Sequence, residues 1–339
     1  MKVKTILSQP LLADLFKKIG KKLGVEVTVE KEYGVVGKIS YSNGINRYFR
    51  GTTLDINTMC SSEIARDKDY SKIFMKEMGY PVIPWKKFYS TSWTIKIKSK
   101  QNINKAWQFA KKIGLPVFIK PNSKSQGIGV TKIYNRVDFF KVFKEISKID
   151  NVILVEKPVT GKDYRLVVLD KEVISAYERI PLTVVGDGKS NIKVLLEGKH
   201  KEFQKNGRER TFKINDKRLK MTLSYEKLTF RSILPKGKSL KLLNNANLST
   251  GGTSIDVTEM VHPFFKETAI GLSKDMGLRL CGVDLMIDGD ISTLPTKKWY
   301  VIEINSAPGL DHYASLGRKQ QEIVELLYTK VFKAMGKNN

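Results

Sequence analysis

The chain has 339 residues, 41% of them apolar and 28% charged, a globular balance with room for two or three domains of about 100–200 residues each. No run approaches the ~18–20 apolar residues that cross a bilayer. The start, "MKVKTILSQPLLADLF", has no small-residue cleavage site, so a cytoplasmic protein is expected. Two cysteines (Cys60, Cys281) and three histidines (His200, His262, His312) lack metal-ligand spacing, which argues against a zinc site or a disulfide framework. The net charge is +26, and it is uneven: residues 245–339 hold 10 Lys/Arg against 11 Asp/Glu, residues 1–244 hold 50 against 23. Such an excess suits a nucleotide, an acidic substrate or nucleic acid. Most of these lysines fall on predicted helix surfaces, so nucleic acid is the weaker reading.

"LLADLFKKIGKKLG" (11–24) predicts an amphipathic helix closed by Gly24. "VEVTVE" and "GKISYSNGINRYFRG" alternate as strands, with Asn43-Gly44 a hairpin turn. In "RDKDYSKIFMKEMGYPV", Asp67 caps a helix that Gly79 and Pro81 end. "NINKAWQFAKKIGLPVFIK" repeats the scheme, a helix stopped at Gly114 and then a strand. A Ser/Gly loop, strand "VTKIY", helix "VDFFKVFKEI" and strand "NVILVEKPV" follow. "YRLVVLDKEVISAYERI" is a hairpin turning at Asp170-Lys171. Residues 186–245 are highly charged and read as a helix with mobile connections. Beyond a glycine loop, "NANLSTGGTSID", come a helix (264–276), strands "LCGVDLMI" and "WYVIEINSAP", and a closing helix from about 318 to 334. With no internal repeat, this alternation predicts an α+β (α/β) protein.

Some residues look misplaced unless they do chemistry. Asp284 stands among apolar neighbours, and Glu303 and Asn305 share one face of their strand. Buried carboxylates require a partner or a metal. Two carboxylates and an amide oxygen suit Mg²⁺, a hard cation bound by few carboxylates and by phosphates; the plainer alternative is pairing with lysines at strand ends. In "VFIKPNSKSQGIGVTKIY" (117–134), Lys120 offers a point charge, and Ser123, Ser125, Gly127 and Gly129 offer donors without bulk. This is not the GxxxxGK[ST] pattern, and a plain hairpin with a long tip remains open. In "EKPVTGKDYRLVV", Asp163 suits ribose hydroxyls, and Arg165 shares its face. Arg179 in "AYERIP" brings a further cation. Each also reads as a surface charge.

Together and in this order, these segments resemble the ATP-grasp superfamily, with the nearest likeness to the ATP-grasp module of cyanophycin synthetase. The resemblance rests on "RGTTLDINTMCSSEIARDKDYSKIFMKEMGYPV", "VFIKPNSKSQGIGV", "DYRLVVLDKEVISAYERIPLTVVGDGKSNI", "NANLSTGGTSIDVTEMVHP" and "LCGVDLMI…VIEINSAPGL", spanning residues 50–311. It implies an ATP-grasp fold of two α+β subdomains gripping ATP, with a short N-terminal α/β extension (1–60). Preceding helices and a linker (61–115), a lid subdomain (116–158) and a C-terminal subdomain (159–335) with a charged insertion near 195–245 would follow. The implied activity is a carboxylate–amine ligase working through an acyl phosphate, with ATP and one or two Mg²⁺ ions as cofactors. Lys68 and Lys120 match the nucleotide-contacting lysines, and Ser125, Gln126 and Gly127 the loop over the phosphates. Glu156, with the Lys157–Val159 backbone, matches the adenine site, and Asp163 the ribose site. Arg179 matches a triphosphate cation, and Asp284, Glu303 and Asn305 the magnesium ligands. Arg165, Arg179 and Asn247 of the "NLSTGG" loop are the candidates for holding the reacting phosphate. Loops 121–129 and 245–254 are expected to close on ATP.

Two departures bear on the substrate. D-alanine–D-alanine ligases carry an arginine two residues before the first metal-binding aspartate, where Gly282 stands here. Cyanophycin synthetase is much longer, so the chain alone is not expected to make that branched polymer. The partner expected is an amino acid or peptide, with an acidic one favoured by charge; a homo-oligomer is open, and no membrane is expected. Alternatives are an amino-acid ligase resembling glutathione synthetase or ribosomal-protein glutamate ligases, a phosphotransferase that stops at a phosphorylated product, and a polyanion binder that keeps the fold without catalysis.

Overall fold

The computed structural model describes residues 9–205, 212–246, 248–315 and 317–337. Helix α1 (Gln9–Leu23) leads into an antiparallel sheet of β1 (Glu26–Val29), β2 (Val36–Ser40), β3 (Asn46–Arg50) and β4 (Thr53–Leu54). Its alternation places Ile39 and Phe49 inward, against Phe16 of α1. Helices α2 (Met59–Arg66) and α3 (Lys68–Glu77) follow. Asp67 caps α3 by accepting from the backbone N–H groups of Asp69 and Tyr70.

A second sheet has the order β5-β8-β6-β7. In chain order its surroundings are β5 (Trp85–Tyr89), α4 (Thr91–Lys96), α5 (Ile103–Ile113), β6 (Val117–Pro121), β7 (Thr131–Ile133), α6 (Arg136–Ser147) and β8 (Val152–Glu156). Helices α5 and α6 bury Ala106, Ala110, Phe139 and Phe143 against Val117, Ile119, Ile153 and Val155. This sheet takes in Trp85–Tyr89, well ahead of the boundary expected at 116. "WKKFY" carries two lysines and only five residues, so its sequence does not announce a strand.

The third sheet is the centre of the molecule, with strand order β13-β10-β9-β14-β15. β9 (Lys162–Leu169) and β10 (Glu172–Ile180) form its hairpin. Next come β11 (Thr183–Val185), α7 (Ile192–Lys205), α8 (Lys217–Tyr225) and β12 (Ser239–Lys241), an inserted unit in which β11 pairs with β12. The insertion has its own core of Leu196, Phe203, Leu219, Leu223, Leu234 and Leu240. It is therefore a folded unit, richer than the single helix with mobile connections expected from its charge. The chain then returns through β13 (Thr253–Asp256), α9 (Pro263–Asp275), β14 (Leu280–Ile287), β15 (Trp299–Asn305), α10 (Asp311–Ala314) and α11 (Arg318–Met335).

The two faces of the central sheet differ. On one, Leu166, Val168, Val283, Leu285 and Ile304 pack against Phe265, Ala269 and Leu272 of α9. On the other, Val167, Leu169, Tyr177 and Leu280 pack with α1 and α11 at one end. The opposite end of that second face turns polar. Gly161 sets the approach to it: a Cβ there would lie 2.5 Å from the Ile287 carbonyl, so a side chain would push β9 off β14.

Candidate active site at the polar end of the central sheet

Antiparallel pairing puts directly opposite residues on the same face. Following the register across the five strands, Asp256, Tyr177, Arg165, Asp284 and Glu303 form one transverse row. The next row holds Ser254, Arg179 and Asp163, and Asn305 lies opposite Gly282 one step the other way. The face thus gathers Asp163, Arg165, Arg179, Asp284, Glu303 and Asn305.

Asp284 is fully buried and doubly paired. Arg165 donates from Nε and Nη2 to its two oxygens at 2.6 and 2.7 Å, and Arg179 Nη2 adds a bond at 2.8 Å. Its partners are arginines, one on the adjacent strand β9 and one a strand further on β10, rather than lysines at strand ends. Arg179 also donates to Asp163 from Nε and Nη2, at 2.9 and 2.7 Å. Burial, helped by the nearby Asp284 charge, pushes Asp163 up to about 6 against the pull of Arg179. Burial acts to lower Arg165 and Arg179, yet Asp284 for the first and Asp163 for the second hold both guanidinium groups charged well beyond their ordinary range.

Glu303 differs from Asp284. Burial acts to raise it, but Lys68, Lys120 and the two arginines together hold it far below the usual carboxylate range. Its ion-pair contacts with Lys68 and Arg165 are long, both 3.9 Å, and the Asn305 amide lies at 3.4 Å. An ionised carboxylate whose cations stand no nearer than 3.9 Å, with an Asn side chain beside it, suits a hard divalent ion. Glu303 and Asn305 therefore fit magnesium. Asp284 fits only if Arg165 and Arg179 turn their guanidinium groups toward another anion. Among the described residues, no group of three or more His, Cys, Asp and Glu is placed to hold a metal.

The second sheet, through Lys120, and α3 face this end. Lys68 donates to the carbonyl oxygens of Lys124 at 2.6 Å and Asn122 at 3.4 Å, at the root of the glycine loop. Lys120 is buried and pairs with Glu156 at 2.8 Å. The other Glu156 oxygen is taken by Lys72, a lysine with no exposure at all. Burial would raise Glu156, yet Lys120 and Lys72 outweigh it and keep it ionised. Sequence reasoning missed Lys72, although it lies one helical turn after Lys68 on the same face of α3. Lys157 follows β8 exposed, its N–H donating to the Pro84 carbonyl, and Val159 is half-buried. Ser125 and Gln126 are exposed on the loop, and Gly127 is half-buried. Asn247 lies outside the described residues. Gly282, where a side chain was noted as missing, lies beneath Arg165: a Cβ there would sit 3.2 Å from Pro308 and 3.5 Å from Arg165. The Arg165 side chain thus covers that position from the neighbouring strand.

A polar end on an otherwise apolar sheet, faced by buried and half-buried lysines of α3 and β6, is the arrangement expected of an ATP-grasp fold. The family model described as the D-ala D-ala ligase C-terminus matches residues 74–188. The glutathione biosynthesis bifunctional protein GshAB of Clostridium perfringens is 34% identical over 226 residues, covering 62% of this chain and 29% of that protein. Cyanophycin synthetase of Trichormus variabilis is 29% identical over 276 residues, covering 80% of this chain and 29% of that one. The crystal structure of a bifunctional glutathione synthetase from Pasteurella multocida superposes with a TM-score of 0.56 at 26% identity, over 95% of this chain and 44% of that chain. Over part of its length the chain is thus similar to these ligases and synthetases. It spans less than half the length of these relatives. The glutathione proteins stand beside cyanophycin synthetase at comparable or higher identity, so the likeness does not single out the latter. Among the described residues, no helix is long and apolar enough to cross a membrane.

Proposed function

We propose that the chain is an ATP- and Mg²⁺-dependent ligase joining a carboxylate, on an amino acid or peptide, to an amine. The observation that carries this is the row Arg165–Asp284–Glu303 with Arg179 beside it, facing Lys68 and Lys120. In the reaction, an oxygen of the substrate carboxylate attacks the γ-phosphorus and the bond to the β-phosphate oxygen breaks, releasing ADP. The amine nitrogen then attacks the acyl carbon, phosphate leaves, and the nitrogen loses a proton. Such chemistry needs positioning and charge neutralisation rather than a protein nucleophile. Lys68 and Lys120 hold the nucleotide's phosphates, Arg165 and Arg179 hold the transferred phosphoryl group, and Ser125, Gln126 and Gly127 cover it. Asp163 receives the ribose hydroxyls, and the Lys157–Val159 backbone runs beside the base. Glu303, Asn305 and, once released by its arginines, Asp284 would hold Mg²⁺, which would supply further neutralisation of phosphate charge. Arg165 and Arg179, which pair with Asp284, are the groups that would turn to the phosphates when Asp284 takes the metal.

The test is release of ADP and phosphate from ATP with pooled amino acids and short acidic peptides, for wild type and Glu303→Gln. Release is expected only when a carboxylate and an amine are both present, and the variant should lose at least about 100-fold, the scale of one lost electrostatic contact to developing charge. Turnover that needs the carboxylate but no amine would mean a phosphotransferase. No turnover together with salt-sensitive RNA binding would mean a polyanion binder instead.

A further inference from the structure

We propose that Arg218, in the inserted unit, is a positioning residue for the glycine loop, holding a carbonyl three residues beyond the one that Lys68 holds. The inference rests on reading that loop as the one that covers the phosphates. Asp216 caps α8 by accepting from the Arg218 N–H at 2.9 Å. The same carboxylate grips the Arg218 side chain, Nε at 3.1 Å to both oxygens and Nη2 at 2.7 Å. A guanidinium is a rigid fork, so a carboxylate on that edge fixes where the remaining nitrogen points. Nη1 donates to the Gly127 carbonyl at 2.9 Å.

Gly127 is the hinge of the loop's tight turn. Gln126 and Gly127 have φ of +56° and +69°, the left-handed region that few side chains tolerate. The Ile128 N–H closes back on the Ser125 carbonyl at 3.1 Å, and the Val130 N–H on the Gly127 carbonyl at 3.3 Å. A carbonyl and the N–H of the next residue point opposite ways across a trans peptide. Cations that capture the carbonyls of Lys124 and Gly127 therefore aim the following N–H groups away from those cations. Lys68 does this at one end of the loop, Arg218 at the other.

The rest of α8 is seated firmly enough to serve as an anchor. Tyr225 lies against Tyr134, with ring centroids 3.9 Å apart, and its hydroxyl engages Asp138 and the Asn135 amide. Met221 packs into the lid core, and Lys217 pairs with Glu145 at 3.3 Å. The insertion is thus joined to the lid that carries the loop, although it leaves the chain between two strands of the central sheet.

The experiment compares wild type with Arg218→Met and Arg218→Lys. Amide hydrogen exchange is read over residues 123–130 without nucleotide, alongside the KM for ATP and kcat. Arg218→Met should speed exchange in the loop at least tenfold while leaving β9 and β14 unchanged. It should also raise the KM for ATP about tenfold with kcat within threefold, and Arg218→Lys should recover part of both losses. Unchanged loop exchange overturns the brace. Faster exchange with an unchanged KM overturns the positioning role. If wild type turns over no ATP, the functional reading has failed by itself, and the exchange arm still decides whether Arg218 holds the loop.

Discussion

Lys72, Glu156 and Lys120 form a chain of charges in which the middle member has no exposed oxygen to spare. Both Glu156 oxygens are bound, one by each lysine, so its carboxylate orients Lys120. Burial pulls Lys72 down to about 8 from 10.5, against the pull of Glu156. Replacing it by methionine leaves Glu156 buried with one cation, and about 3 kcal/mol of stability should be lost, the low end for breaking a buried pair. The pH dependence has a definite sign. Between about pH 8 and 10.5 the unfolded chain holds a proton on Lys72 that the folded chain has shed, so this group favours folding more as pH rises. Urea midpoints of wild type and Lys72→Met should therefore diverge from pH 8 to 10, wild type gaining; a constant gap would show that Lys72 does not titrate there. Sequence alone could not reveal this lysine, because on an amphipathic helix it looks like any solvated cation. Asp284 and Glu303 were legible for the converse reason, since a carboxylate inside an apolar strand has a desolvation cost that only a partner or an ion offsets.

Helix α3 shows how an element carries a site. It presents Lys68 and Lys72 one turn apart, and its start depends on Asp67. The Asp67 carboxylate accepts from the N–H groups of Asp69 and Tyr70 at 3.0 and 2.8 Å. It also receives the side-chain amide of Asn122 at 2.6 Å, tying the helix to the root of the glycine loop. Asp67→Ala should cost about 1–2 kcal/mol through the lost cap and should raise the KM for ATP, because Asn122 loses its anchor. A variant with the stability loss and an unchanged KM would separate the cap from the loop. The cap, the hairpins at Asn43-Gly44 and Asp170-Lys171 and the stops at Gly79 and Gly114 could be read locally, since turn and cap chemistry is written in a few adjacent residues. β5 and the inserted unit could not. The pairing of Trp85–Tyr89 with Val152–Glu156 is a contact between residues more than sixty apart, and the insertion's leucines are diluted among charges until folding collects them into one core.

At the scale of the whole molecule, the charge and the site are arranged together. Residues 183–241 hold 16 Lys/Arg against six Asp/Glu, and this same unit is joined to the lid through α8. Lys201, Lys205, Lys220 and Lys238 are all exposed on it. A field of that sign draws polycarboxylates toward the site, and at about 0.15 M salt it reaches roughly 8 Å. ATP, the nucleotide proposed for the polar row, is itself anionic, so the two ligands have to be separated. With Lys201, Lys205, Lys220 and Lys238 all changed to glutamate, the KM for an acidic peptide substrate should rise about tenfold or more at low salt, and the difference from wild type should shrink as salt is added. Through distance and screening the KM for ATP should stay within about threefold, and kcat should hold, because these side chains concentrate substrate without touching the reacting atoms. An equal rise for acidic and uncharged peptides would place the lysines in shape recognition. No rise at all would leave the insertion's charge without a part in substrate capture, and its contribution to the site would then be the hold of α8 on the lid.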